Sequence, residues 1–188
     1  MQTMRVLSTL STNFSSVGAR AARRQSTRNL TFTTSPKMTK NELQTFFAKS
    51  FPQISSSYCI ERVTSQEVIM RLKVEHDHLR PGGTVSGPAM FTLADASMYA
   101  TILSKVGPKA LAVTTNCSID FLRKPVAGRD LLARCHIHKL GKVLVVGDVL
   151  MYSTITDESE LSEGRKLEEF VEMDKPVSRA TMTYSIPK

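Results

Sequence analysis

The hydrophobic residues fall into two rhythms along the chain. Residues 67–75 place Val68, Met70, Leu72 and Val74 on one side of an extended segment and Glu67, Arg71, Lys73 and Glu75 on the other, with Ile69 the one exception. Residues 58–63, 111–121, 130–140, 143–152 and 177–186 read as further strands. In 111–121, Leu111, Val113, Cys117, Ile119 and Phe121 alternate with Thr114, Asn116, Ser118 and Asp120. In the last, Ala180, Met182, Tyr184 and Ile186 share a face, and 143–152 is apolar on both faces, as a central strand should be. Residues 87–105 carry no such alternation. They are good helix formers, apolar around most of the circumference, with Pro88 suited to a first turn and Gly107-Pro108 as a stop. A short helix is predicted over 41–51, with Asn41 as N-cap and Pro52 after it. Short turns at Pro125–Gly128 and at Gly141-Lys142 predict antiparallel pairing of the strands they join. One long buried helix among antiparallel strands is an α+β arrangement, packed most economically as a curved sheet of five or six strands wrapped around the helix.

Residues 156–175 break the strand pattern with eight acidic residues and are expected to form an exposed insertion, helical in part around 163–173. The net charge of +8 has a local origin. Residues 1–40 hold seven basic residues and no acidic one, which leaves 18 of the 25 basic and all 17 acidic residues for the rest of the chain. Nucleic-acid binding therefore loses its main support. The same 40 residues contain 14 Ser or Thr and scattered Arg, but no apolar core of 7–15 residues. That composition fits an organelle transit peptide over 1–37, mitochondrial rather than secretory, with Arg28-Asn29-Leu30-Thr31 resembling a processing site. A disordered basic tail with no targeting role is the alternative. No run of about 18 uncharged apolar residues exists, so no membrane insertion is expected. Residues 41–188 then form a single domain.

Several chemistries are excluded by spacing. Gly82 to Gly87 has P-loop spacing, but Pro88-Ala89 stands where Lys and Ser/Thr are needed. There is no G-x-G-x-x-G, and Ser86 does not sit in G-x-S-x-G. Cys59, Cys117 and Cys135 are too few and too scattered for a disulfide framework. The pairs His76/His78 and His136/His138 lack an obvious third ligand, so no metal site is expected.

Two features remain. The stretch Arg80-Pro-Gly-Gly-Thr-Val-Ser-Gly-Pro88 opens the long helix, whose first-turn N–H groups lack partners and carry partial positive charge. Glycines there admit a ligand oxygen, which makes either an oxyanion site for an acyl carbonyl or a plain capped loop. Asp95 is the only acidic residue between Asp77 and Asp120, and it interrupts the apolar helix. Such a carboxylate needs a partner or a task, unless Thr92, Asp95 and Tyr99 form a thin solvent stripe.

The run from His76 through Arg80-Pro-Gly-Gly-Thr-Val-Ser-Gly-Pro-Ala-Met-Phe-Thr-Leu-Ala-Asp95, followed by a strand ending Asp120-Phe-Leu-Arg-Lys-Pro125, resembles the hotdog-fold acyl-CoA thioesterases of the phenylacetate-pathway type. The resemblance covers roughly residues 58–155 and the last strand. It implies a hotdog fold and hydrolysis of an acyl-CoA thioester to free acid and CoA, without metal or cofactor. The N–H at the position of Gly87 would polarise the thioester carbonyl. Asp95 would be nucleophile or general base, and Thr114 or Thr115 would orient the attacking water. Arg80, Gly83, Ser86, Asn116, Arg123 and Lys124 are the candidate substrate-binding residues, the last two for CoA phosphates. Two positions depart from the family pattern: Ser86 replaces the usual His, and Arg80 the usual Asn, where it is free to pair with Asp95 of a partner or with a substrate carboxylate. The alternative function is a non-catalytic acyl or acyl-CoA binding hotdog protein.

Gly87 and Asp95 are eight residues apart on one helix, about 12 Å at 1.5 Å rise per residue. A reacting carbon must lie about 3 Å from both the oxyanion donor and the attacking group. A two-fold dimer with antiparallel helices meets that demand, so a homodimer with shared sites is expected; the resemblance implies the same sharing, in a homo-oligomer that is either a dimer or a tetramer of dimer units. The leader can be tested directly: Edman or mass-spectrometric analysis of protein from its native source should find the first residue between about 31 and 38, and an intact Met1 would refute a cleaved mitochondrial leader.

Overall fold

The computed structural model describes residues 35–156, 161 and 164–187, and residues 1–34 of the expected leader lie outside them. The first helix, α1 (Lys40–Ser50), starts one residue before the predicted cap. Thr39, not Asn41, is the N-cap. Its hydroxyl accepts from the Glu42 N–H while the Glu42 carboxylate accepts from the Thr39 N–H, a capping box that the Thr-x-x-Glu spacing encodes. There follow β1 (Tyr58–Val63), β2 (Glu67–Leu72), a two-stranded ribbon of β3 (Leu79–Arg80) and β4 (Thr84–Val85), then α2 (Gly87–Val106), β5 (Val113–Phe121), β6 (Leu131–Leu140), β7 (Leu144–Ser153) and β8 (Ser178–Ser185).

Six strands form one antiparallel sheet in the order β1-β2-β6-β7-β8-β5. Helix α2 packs across one face and touches every strand of it. Thirteen of its 20 residues are buried, as the all-round apolar sequence predicts. The helix lies close because β7 carries Gly147 beneath it: a Cβ there would sit 2.9 Å from the Met98 sulfur and 2.4 Å from the His136 carbonyl oxygen.

The turn at Gly141-Lys142 joins paired neighbours, but the turn at Pro125–Gly128 does not. Strands β5 and β6 are separated by β8 and β7. The connection crosses the ends of those strands, where Leu122 N–H donates to Val177 O (2.8 Å) and Val126 N–H to Ser153 Oγ (3.0 Å). Tethers from other strands thus override the local turn signal. Strand β5 is left at the sheet edge with β8 as its one strand neighbour among the described residues, and Val113 and Phe121 at its two ends are 55% and 53% exposed.

The second correction concerns 156–175. Its described residues do not project as an exposed acidic helix. A single helical turn runs over Leu167–Glu169, and Leu161, Leu167, Phe170 and Val171 are buried against Ile69, Leu132 and Tyr152 on the sheet face opposite α2. The Thr154–Val171 bridge and the Ile155 N–H to Phe170 O bond (2.8 Å) hold the segment down. This second core explains why Ile69 breaks the alternation of its strand. It also buries Arg71, which sequence pattern assigns to a polar face. Arg71 is ion-paired to Glu61 and, at 3.2 Å, to Asp130, and the second Glu61 oxygen accepts from Leu161 N–H at 2.8 Å. Because Phe170 has no exposed surface, Phe170→Ala should cost about 3 kcal/mol in urea unfolding. A loss below about 0.5 kcal/mol, the figure typical of a surface site, would show that the segment does not pack.

Candidate functional site

Asp95 lies on the flank of α2 that faces the β5–β8 end of the sheet. Thr114 and Tyr184 are cross-strand partners there, so two hydroxyls stand side by side under one carboxylate. Thr114 Oγ1 donates to Asp95 Oδ1 at 2.6 Å, and Tyr184 OH reaches the same oxygen at 2.6 Å and the Asp95 carbonyl oxygen at 3.0 Å. Tyr184 is 2% exposed. Burial, and then the negative charge of Asp95, push its phenol far above the ordinary range, so it stays a donor at any working pH. A β-bulge between Thr114 and Asn116 displaces Thr115, whose hydroxyl donates instead to Thr183 O at 3.1 Å. Asp95, Thr114 and Tyr184 line a cavity of about 470 Å³, with Phe51, Tyr99 and Val113 as its apolar walls.

The start of α2 is built differently. Ser86 is the N-cap: its hydroxyl accepts from Ala89 N–H (3.3 Å) and its carbonyl from Met90 N–H (3.1 Å). Pro88 has no N–H. Among the described residues nothing accepts from the Gly87 N–H, which leaves it as the open donor of the first turn. A Cβ on Gly87 would come within 3.3 Å of the Phe121 ring. Gly87 lines a second cavity, of about 440 Å³, together with Arg80, Met90, Phe121, Arg123 and Lys124. Three cations therefore surround a backbone donor at the positive end of a helix, a setting that favours anions. Arg80 is steadied by Thr84 (3.1 Å), and Arg123 by Pro176 O (3.2 Å).

These two cavities share no residue and sit eight residues apart along α2, about 12 Å. Each chain thus presents a carboxylate cavity and an anion cavity, but not around one point.

The sequence profile of the Thioesterase superfamily matches residues 82–159, which include Asp95 and Thr114 of one cavity and Gly87, Phe121, Arg123 and Lys124 of the other. A solved thioesterase candidate from Silicibacter sp. TM1040 is 48% identical, covers 81% of this chain and 94% of its own, and superposes with a TM-score of 0.66. The chain belongs to the thioesterase superfamily. It is a thioester hydrolase of the hotdog fold. Human acyl-coenzyme A thioesterase 13 is 26% identical over 119 residues, 63% of this chain and 83% of that protein. A protein of Streptococcus pneumoniae TIGR4, solved with coenzyme A, shares the fold at 22% identity and a TM-score of 0.57, covering 77% of this chain and 96% of its own.

In the thioesterase, Asp95 and Thr114 come together, Gly87 joins Arg80, Arg123 and Lys124, and the rest of the expected set falls outside. Thr115 is spent on the strand ladder. The Ser86 hydroxyl is spent on the cap. Gly83 occupies the β3–β4 turn at φ +73°, donating to Arg80 O at 3.0 Å. Asn116 pairs with Thr183 on the face turned away from α2. The His-x-His pairs have other partners: His136 meets Glu67 at 3.0 Å and His138 meets Asp148 at 2.8 Å. The hydrogen bond from His136, aided by Arg134, holds the Glu67 carboxyl down at about 2. No cluster of three metal-ligating side chains exists among the described residues.

Sequence reading missed Tyr184. The one available signal was a hydroxyl in the otherwise apolar row Ala180, Met182, Tyr184, Ile186. The two threonines can be separated by substitution. Thr114→Val should lower turnover about tenfold, roughly 1.4 kcal/mol of barrier, with the melting temperature held. Thr115→Val, losing a bond to β8, should register in the melting temperature instead. Equal turnover losses would show that the bulge does not sort them.

Proposed function

We propose that the protein hydrolyses an acyl-CoA thioester to free acid and CoA at sites shared between two chains. The observation that supports this most directly is the split of the site into a carboxylate cavity and an anion cavity about 12 Å apart on one helix. Two α2 helices set antiparallel across a two-fold axis would bring Gly87 of one chain opposite Asp95 of the other, twice. Strand β5, at the sheet edge with no second neighbour among the described residues, runs beside both cavities. Its Thr114 lines one and its Phe121 the other, which makes it the natural seam.

In this reading the thioester carbonyl oxygen accepts from the Gly87 N–H. Asp95 attacks the carbonyl carbon, or takes a proton from a water that does. The charge that builds on the oxygen in the tetrahedral intermediate is met by the open donor and the positive helix end. When the intermediate collapses, the C–S bond breaks and CoA leaves as thiolate, to be protonated by solvent. If Asp95 attacked directly, the resulting mixed anhydride is opened by water. Arg80, Arg123 and Lys124 suit the phosphates of CoA, and the walls formed by Phe51, Tyr99 and Val113 suit the acyl group. The acid-free, Ser- and Arg-rich composition of residues 1–40 supports the mitochondrial matrix as the place of the reaction.

Asp95→Asn, nearly isosteric but a far poorer base, should cut thiol release from acyl-CoA by at least about a hundredfold without loss of fold. Gly87→Val should do the same by filling the oxyanion position. Mixing the two inactive proteins under subunit exchange should restore turnover, because each heterodimer holds one intact site of its two. Heterodimers proven by mass spectrometry yet without turnover would rule out a shared site.

A further inference from the structure

Both hydroxyls that meet Asp95 converge on a single oxygen. Oδ1 lies 2.6 Å from Thr114 Oγ1 and 2.6 Å from Tyr184 OH, while no donor reaches Oδ2 among the described residues. The two donors differ in kind. Thr114 is exposed on the edge strand β5, whereas Tyr184 is 2% exposed and fixed in β8 between β5 and β7. The Tyr184 hydroxyl has one proton and two acceptors in reach. The carboxylate oxygen at 2.6 Å is closer and charged, and the Asp95 carbonyl at 3.0 Å is neither. A carboxylate on a helix flank otherwise turns easily about its last torsion, exchanging its two oxygens.

We propose that Tyr184 is a positioning residue for the hydrolysis: by anchoring Oδ1 of Asp95 from the protein interior, it presents Oδ2 as the one carboxylate oxygen available to the acyl carbon or its attacking water. The inference rests on Asp95 being the reacting carboxylate. Tyr184 itself touches Asp95 and does not need to touch substrate. It acts on the step in which Oδ2 attacks or accepts a proton, so its loss should appear in kcat and leave KM largely alone.

The test uses the full chain with acyl-CoA substrates and compares Tyr184→Phe, Asp95→Asn and the double variant. Tyr184→Phe removes one oxygen atom and keeps the ring. It is expected to lower kcat about ten- to a hundredfold with KM within about twofold, while thermal melting stays near that of the parent. In the Asp95→Asn background the same change should alter the residual turnover by less than about twofold, since there is no longer a carboxylate to hold. Parental kcat in Tyr184→Phe would overturn the proposal, and so would the same fold-loss with and without the Asp95 carboxylate. Parental turnover in Asp95→Asn is a separate outcome: it defeats the catalytic reading of Asp95 itself, and with it this inference. If Tyr184→Phe does not fold, 3,5-difluorotyrosine at position 184 keeps both ring and hydroxyl but makes a more acidic donor. A changed kcat at constant KM supports the role, and an unchanged kcat overturns it.

Discussion

An ionisable carboxylate on the flank of a helix packed against a sheet is costly unless polar groups meet it, and the arrangement around Asp95 follows from that requirement. Two strands that are far apart in sequence, β5 and β8, are paired so that Thr114 and Tyr184 fall opposite one another beneath the carboxylate. A bulge in β5 at Thr115 keeps Thr114 turned toward α2 while the residues beyond it continue the ladder. The register, the bulge and the edge position of β5 can all be understood as parts of one solution. They satisfy Oδ1 and leave the other oxygen without a donor among the described residues.

The same helix sets the scale of the site. Its start is capped by Ser86, and the combination of that cap with Pro88 leaves Gly87 as the donor of the first turn without an acceptor among the described residues. A straight helix cannot bring its first residue round to its ninth. The distance between them turns the question of mechanism into one of assembly, and the exposed edge of β5 is where a second chain would answer it. In the proposed reading, the cations near Gly87 and the apolar walls near Asp95 would divide the two ends of an acyl-CoA between the two halves in a way that suits its charge distribution.

The opposite face of the sheet serves a different purpose. There the segment that returns from β7 to β8 seats Leu161, Leu167, Phe170 and Val171 over Ile69, Leu132 and Tyr152, and Glu61 ties that segment to the buried Arg71. Replacing one member of such a pair would leave a buried charge uncompensated, a far larger penalty than the pair's net worth. Glu168, Glu169, Glu172 and Asp174 of the segment are exposed, which is why composition alone suggested an exposed insertion.

Periodicity along the chain was enough to place both α-helices and all six sheet strands of the described residues to within a few residues, because alternation at two and the lack of it are local consequences of backbone geometry. The Gly-rich start of α2 and the isolated Asp95 were legible for a related reason: each is a local breach of pattern, a donor-rich turn in one case and a charge among apolar residues in the other. What the chain did not disclose were relations between distant segments. The Thr39 cap was encoded but overshadowed by a plausible neighbour, Asn41. The separation of β5 from β6 depends on tethers to Val177 and Ser153, the burial of Ile69 and Arg71 on a segment about a hundred residues away, and the choice of Thr114 over Thr115 on a bulge with no sequence signature of its own. Tyr184 looked like one more core residue of β8. Only pairing across the sheet placed its hydroxyl against Asp95, since a side chain's partner is set by register, and register is a property of the folded sheet rather than of the strand.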